Sequence, residues 1–262
     1  MNRRNFLKTS AAAPALSMPL LHAQPARETI VKKLLIYGGD FDRGFTKFAA
    51  TLTGKHNPRI CFLPTATGDA SGYVMRWFET CSDLPIRPFV QRSFISSYNQ
   101  KESFEDIFTG MDAILVGGGN TLNMMAIWKA QGMDIALRKA YDSGVLLGGG
   151  SAGSLCWFRQ GTTDSRPGQL TTVEGLGLIN ASHSPHYDSE GERRPLYLDK
   201  IKSGEYMSGY ACDNRAAIYF ENGEVSQAVA LDKNSNAYFV ALKDGEVSES
   251  ILQKKVLPPA WP

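Results

Sequence analysis

Short apolar runs alternate along this chain with stretches whose apolar residues fall three and four apart. Lys33 to Tyr37 is a compact apolar run that ends at Gly38-Gly39, and it reads as a buried strand. From Phe45 to Leu52, residues Phe45, Phe48, Ala49 and Leu52 share one helical face. Arg59 to Leu63 before Pro64 predicts a second buried strand, Tyr73 to Cys81 a helix, and Ile86 to Val90 a third strand weakened by Pro88. Ser103 to Phe108 reads as a short helix and Asp112 to Val116 as a fourth strand, which runs into Gly117-Gly118-Gly119. Thr121–Ala130 and Asp134–Tyr141 are helical in pattern. Gly144 to Leu147 is a fifth strand that meets Gly148-Gly149-Gly150-Ser151.

Strands alternating with helices predict an α/β fold, with a mainly parallel sheet covered by helices on both faces. Ligands bind such sheets beyond the carboxyl ends of the strands, where both glycine clusters fall. After about residue 205 the pattern changes. Ala216–Phe220, Val225–Leu231 and Ala237–Leu242 are short strands, and Asn222-Gly223 and Asp244-Gly245 are turn signals. They predict antiparallel hairpins added to the same domain.

The amino terminus stands apart from this pattern. Asn2-Arg3-Arg4-Asn5-Phe6-Leu7-Lys8 resembles a twin-arginine export signal, followed by a weakly apolar stretch and a cleavage site at Leu21-His22-Ala23. Residues 1–23 are therefore expected to be removed, leaving 24–262 as a single α/β domain in the periplasm or beyond. The removed segment carries Arg3, Arg4 and Lys8 and no acid. Lys plus Arg falls from 28 to 25 against 26 acids, and the net charge moves from +2 to −1. No basic stripe points to nucleic acid. No apolar run approaches the ~20 residues a membrane span needs, so no membrane partner is expected after processing.

Composition is that of an ordinary globular protein, 43% hydrophobic and 21% charged, which excludes a disordered chain or a fibre. Cys61, Cys81, Cys156 and Cys212 show no metal-ligand spacing and read as small buried thiols.

Candidate chemistry centres on Ser151. Gly149-Gly150-Ser151-Ala152-Gly153 fits G-x-S-x-G between a buried strand and a helix, where a sharp turn pushes a nucleophile clear of the backbone. The Ala152 N–H would serve as one oxyanion donor and Gly119, in the second glycine cluster, as the other. No Gly-Lys-Ser/Thr follows either cluster, which argues against a nucleotide loop.

A serine needs a base. His22 leaves with the signal and His56 lies in a polar turn, so His186 is the favoured base with His183 as its substitute. The orienting acid has two candidates, Asp213, favoured for its place at a strand entry, and Asp164. No metal or organic cofactor is required.

Gly117-Gly-Gly-Asn-Thr121, Gly149-Gly-Ser-Ala-Gly153 and Ser184-Pro-His-Tyr187 together resemble the peptidase E and cyanophycinase family of serine peptidases. The resemblance spans residues 32–242. It implies a fold like that of class I glutamine amidotransferases, flavodoxin-like in layout, with Ser151 attacking, His186 as base, and Gly119 with Ala152 as oxyanion hole. It also implies an exopeptidase acting on short peptides, with an arginine for an acidic substrate side chain. Arg194 is the first candidate, with Arg193 close behind, and Asn120 would hold substrate backbone groups. Three alternatives accompany this reading. They are a cyanophycinase-like activity on a β-linked aspartyl polymer, another acyl hydrolysis, and an inactive binding protein of the same fold. The implied partners are a small peptide substrate and the twin-arginine export machinery. Homo-oligomers are compatible with the pattern through an exposed sheet edge or hairpin.

Overall fold

The computed structural model describes residues 29–94 and 99–259; the export segment lies outside the described residues. Its first half follows the apolar pattern. Strands β1 (Lys33–Tyr37), β2 (Arg59–Leu63), β3 (Arg87–Val90), β4 (Ala113–Val116) and β5 (Leu146–Gly150) pair in parallel in the order β1-β5-β4-β2-β3.

Helices cover both faces of this sheet, and the alternation of strand side chains shows how. In β1, Leu35 and Tyr37 join the core under α1 (Arg43–Leu52) and α2 (Ser71–Cys81), with Phe45, Ala49 and Trp77. Leu34 and Ile36 face the other way. They meet Phe108, Met124, Trp128 and Leu137 from α3 (Phe104–Thr109), α4 (Thr121–Gln131) and α5 (Met133–Asp142). The helix starts are locally encoded: Asp42 accepts from the Gly44 N–H (2.6 Å) and Ser103 from the Asp106 N–H (3.1 Å).

The second half departs from the expected pattern. A short helix α6 (Ala152–Leu155) leads into β6 (Phe158–Arg166), β7 (Gln169–Glu174) and β8 (Ile179–Ser184), then α7 (Arg193–Lys202) and β9 (Gly209–Cys212). Four hairpin strands follow, β10 (Ala216–Glu221), β11 (Glu224–Ala230), β12 (Ala237–Lys243) and β13 (Glu246–Ile251), and then β14 (Lys254–Val256). Asn222-Gly223 and Asp244-Gly245 turn the two hairpins with positive φ at both residues, as expected.

The hairpins go to different places. β10 and β11 extend the first sheet beside β1, with β14 at its edge. β12 and β13 join a second sheet in the order β13-β12-β9-β8-β6-β7. This second sheet was not expected. Its strands bury polar side chains in pairs: Thr162 Oγ1 lies 3.0 Å from Ser184 Oγ, and Ser182 Oγ lies 2.8 Å from the Tyr197 hydroxyl. One face of the sheet shares the α3–α5 core through Phe158, Ile179, Ala181 and Cys212. The other packs under α7 through Tyr197, Ile201, Ala211 and Val240.

Candidate active site

Strands β1, β5 and β4 are neighbours, and their carboxyl ends open on the same edge as those of β8 and β9. Five loops therefore converge there. Ser151 sits between β5 and α6 at φ +54°, ψ −120°, a conformation that L-residues avoid. The glycines of G-x-S-x-G make this elbow possible by close approach. A side chain on Gly149 would lie 2.6 Å from the Gly153 carbonyl, and one on Gly153 2.1 Å from the Val116 carbonyl.

His186 follows β8, also at positive φ (+52°), and its backbone N–H donates to the Gly38 carbonyl (3.2 Å). The Ser151 Oγ–H donates to His186 Nε2 at 2.8 Å. On the far side of the ring, Nδ1–H donates to Asn214 Oδ1 at 2.6 Å. An amide oxygen only accepts, so Nδ1 carries the proton and Nε2 is left as the basic nitrogen facing the serine.

The partner of the histidine is thus Asn214, and neither expected carboxylate occupies that place. Asp213 precedes Asn214 by one residue and opens a tight turn closed by the Ala216 N–H on the Asp213 carbonyl (3.0 Å), with its carboxylate engaged elsewhere. Its carboxylate accepts the Asn236 N–H (2.6 Å), and burial pushes its pKa above the ordinary range. Asp164 is on the surface of β6, 3.9 Å from Arg193. The Asn214 backbone is pinned on two sides: its N–H donates to Asp188 Oδ1 (2.9 Å), and its carbonyl accepts from Gly39 (3.0 Å).

The second histidine has a different surrounding. His183 is fully buried, stacked on Phe158, with Nδ1 donating to the Tyr210 carbonyl (3.0 Å) and Nε2 on Ser154 Oγ (2.9 Å). Burial pushes its pKa down to about 3, so it stays neutral, and it does not face Ser151 Oγ. His56 is in an exposed turn.

The Gly117–Gly119 loop lies against Ser151. The Gly117 N–H is held by the Leu63 carbonyl (3.1 Å) and the Asn120 N–H by the Ala66 carbonyl (2.8 Å). Gly118 and Gly119 are the peptide groups between these anchors. Gly119 has φ +131°, and a side chain on it would stand 2.4 Å from the Ala66 carbonyl. Ala152 opens α6 immediately after Ser151.

Three expectations for substrate-binding side chains meet structural partners instead. Asn120 caps α4, with Oδ1 accepting from Asn123 (2.9 Å), and its Nδ2 donates to the Ser165 carbonyl (3.0 Å), so both ends of the amide are used. Arg194 grips Glu249 with Nε (3.1 Å) and Nη2 (2.6 Å) and lies over the Tyr187 and Tyr238 rings. Arg193 is 2% exposed. It ties Glu190 (Nε to Oε2, 2.7 Å) to the Thr162 carbonyl (Nη1, 2.7 Å). Burial makes it a buckle between the 190 turn and β6.

All four cysteines are free and buried, with Cys156 just past α6 and away from the elbow; burial raises the Cys61 and Cys81 thiols to about 12. Among the described residues no cluster has the makings of a metal site, and no helix is long and apolar enough to cross a membrane.

A strained serine at the end of a parallel strand, bonded to a histidine that an amide orients, defines a serine-type hydrolase on an α/β scaffold. The sequence profile of Peptidase family S51 matches residues 35–228, and the chain belongs to that family. Residues 1–18 match the twin-arginine translocation pathway signal sequence. The chain is 41% identical over 204 residues to a Bacillus subtilis (strain 168) protein described as the uncharacterized peptidase YgaJ; the match covers 78% of this chain and 86% of that protein. In fold it is similar to a peptidase from an acI-B1 Actinobacterium (TM-score 0.66, 16% identity, 86% of this chain and 95% of that one). It is similar as well to a peptidase E candidate from Listeria monocytogenes EGD-e (TM-score 0.58, 22% identity, 77% of this chain and all of that one). The chain is an exported serine-type peptidase.

Proposed function

We propose that this chain is an exopeptidase of the periplasm or cell exterior, which releases single residues from short peptides, Asp-X dipeptides among them, through an acyl-enzyme. In this reading residues 24–262 act as one hydrolytic domain. The observation that carries it is the 2.8 Å bond from the Ser151 hydroxyl to His186 Nε2 at a strained elbow. His186 takes the Ser151 proton as Oγ attacks the scissile carbonyl carbon, and Asn214 keeps the ring in the required tautomer and orientation. The oxyanion would lie against the Ala152 and Gly119 N–H groups. His186 then protonates the leaving amine. Water, deprotonated by the same nitrogen, hydrolyses the ester and returns the proton to Ser151.

The test is hydrolysis of a panel of free and blocked dipeptides and tripeptides by the mature protein, beside Ser151→Ala and His186→Ala, with fluorophosphonate labelling of Ser151. Turnover lost in both variants supports the reading. An unlabelled Ser151 and an untouched panel would overturn it.

A further inference from the structure

A further loop opens on the nucleophile; its glycines brace the His186 and Asn214 backbones, while its charged side chain takes no part in the Ser151–His186–Asn214 relay. It is the turn after β1, Gly38-Gly39-Asp40. The Asp40 carboxylate is fixed from several sides: Oδ1 accepts the Phe41 N–H (2.8 Å) and the Tyr73 hydroxyl, and Oδ2 accepts Arg76 Nη1 (2.8 Å). Arg76 lies over the Phe41 ring. A carboxylate offers about four lone-pair positions; Oδ1 holds two donors and Oδ2 one, so the open position is on Oδ2, about 2.2 Å from Oδ1 within the same carboxylate. Asp40 is one-third exposed and reachable from solvent.

Between Asp40 and the nucleophile there is a gap, and Gly118 keeps it open. Gly118 does not have a left-handed φ, so its backbone does not demand glycine. What the missing side chain leaves is space. A methyl carbon on Gly118 would stand 3.4 Å from Ser151 Oγ and 3.5 Å from Asp40 Oδ1. Since both oxygens lie that close to one point, they are within about 7 Å of each other.

That span has a chemical meaning for a substrate acylating Ser151. The acyl carbon is bonded to Oγ, and the α-nitrogen of the same residue lies two bonds further, about 3.5 Å from Oγ. A hydrogen bond adds about 2.8 Å. An α-ammonium group on the acylating residue therefore reaches a carboxylate about 6.5 Å from Oγ.

Resting on the peptidase reading above, we propose that Asp40 is the specificity-determining residue that receives the free α-ammonium group of the substrate's first residue, across the gap left by Gly118. The enzyme then removes one residue at a time. A blocked or internal peptide brings an uncharged amide, with an acyl group the gap must also house, and leaves the carboxylate without its cation.

The experiment compares one dipeptide with its N-acetylated form and its desamino analogue, in wild type, Asp40→Asn and Arg76→Met. Fluorophosphonate labelling of Ser151 reports an intact nucleophile. Wild type is expected to favour the free amine by about a hundredfold or more. Asp40→Asn raises KM for the free amine about tenfold or more and reduces that preference to within about tenfold, with labelling within about twofold of wild type. Arg76→Met removes the cation and leaves the carboxylate, so it keeps the preference; a merely structural role for the pair would make both variants fail alike. If Asp40→Asn loses labelling too, Asp40→Glu decides: retained preference supports the assignment, and lost preference with intact labelling overturns it. Equal cleavage of all three substrates by wild type, or an unchanged preference in Asp40→Asn, also overturns it while leaving the peptidase reading intact. A wild type that cleaves none of them and resists labelling overturns both.

Discussion

His186 Nδ1 lies 2.6 Å from Asn214 Oδ1, and the two residues lie just beyond the ends of neighbouring strands. β8 and β9 run in parallel, ending at Ser184 and Cys212, and each site residue stands two positions beyond its strand end. The scaffold thus holds histidine and amide side by side without a charge between them. Asn214→Ala is expected to lower kcat about tenfold to a hundredfold with little change in KM, the worth of one hydrogen bond to a group that becomes charged. Asp213→Asn should leave kcat near wild type. Asn214→Asp places a negative charge on the ring, which favours imidazolium, so the acidic limb of the rate profile should move to higher pH. Steady-state kinetics of the three variants against pH check this, and a greater loss in Asp213→Asn than in Asn214→Ala would contradict it.

The backbone of Ser151 is strained. At φ +54° an L-residue costs on the order of 1 kcal/mol or more relative to glycine. Ser151→Ala and Ser151→Gly both lose the hydroxyl, so their difference isolates the backbone. We expect the glycine variant to melt about 2–4 °C above the alanine variant, equivalent to about 1 kcal/mol. Calorimetry of the two inactive proteins checks it; equal melting temperatures would mean that the elbow is relaxed.

How much of this was legible depended on which residues carry the burial. β1 to β5 are made of runs such as Leu-Leu-Ile-Tyr and Ala-Ile-Leu-Val, so periodicity and the glycine stops placed the parallel sheet and, at its carboxyl ends, Ser151. The second sheet was illegible because β6 and β8 bury Thr162, Thr163, Ser182, His183 and Ser184, whose hydroxyls and ring are satisfied in pairs. A hydrophobic pattern does not record burial of that kind. Asn214 was missed for a related reason. Attention to carboxylates selected Asp213, while the tight turn after β9 presents its neighbour Asn214 to the histidine. Asp40 carried a visible signal, a charge directly after a strand-ending glycine pair, whose meaning depends on the distant Gly118 and Tyr73.

The neutral burial of His183 has a consequence for stability against pH. Its folded pKa is about 3, against an ordinary value of 6.5. Below pH 6.5 the unfolded chain takes up a proton that the folded chain refuses. Stability is therefore complete above 6.5 and falls as pH drops toward 3, with a slope approaching 1.4 kcal/mol per pH unit from this one group. His183→Asn should cost about 1–3 kcal/mol at pH 7 through the Ser154 and Tyr210 contacts. The same variant should lose less than wild type between pH 6.5 and 5. Urea midpoints at the two pH values separate these effects, since the carboxylates titrate alike in both proteins. Parallel losses would show that His183 is already charged when folded.

Arg194 was expected to hold an acidic substrate side chain, and its surroundings argue for a different result. Its fork is already engaged by both Glu249 oxygens, and its face by Tyr187 and Tyr238. To take a second carboxylate it would have to leave a well-formed pair. The pair is half-exposed, so its own contribution to stability is modest, about 0.5–1 kcal/mol. Arg194→Ala is accordingly expected to keep kcat/KM on Asp-X dipeptides within about threefold and to lower stability only by that amount. Arg193→Met should behave otherwise. Its guanidinium is buried and links Glu190, four residues after His186, to the Thr162 carbonyl, so the cost should be about 2 kcal/mol or more, with a fall in kcat as the turn loosens. Denaturant melts and Asp-X kinetics of the two variants distinguish the roles. A fall of a hundredfold or more in kcat/KM for Arg194→Ala, confined to acidic substrates, would return the acidic subsite to Arg194 and require that Glu249 give it up when substrate binds.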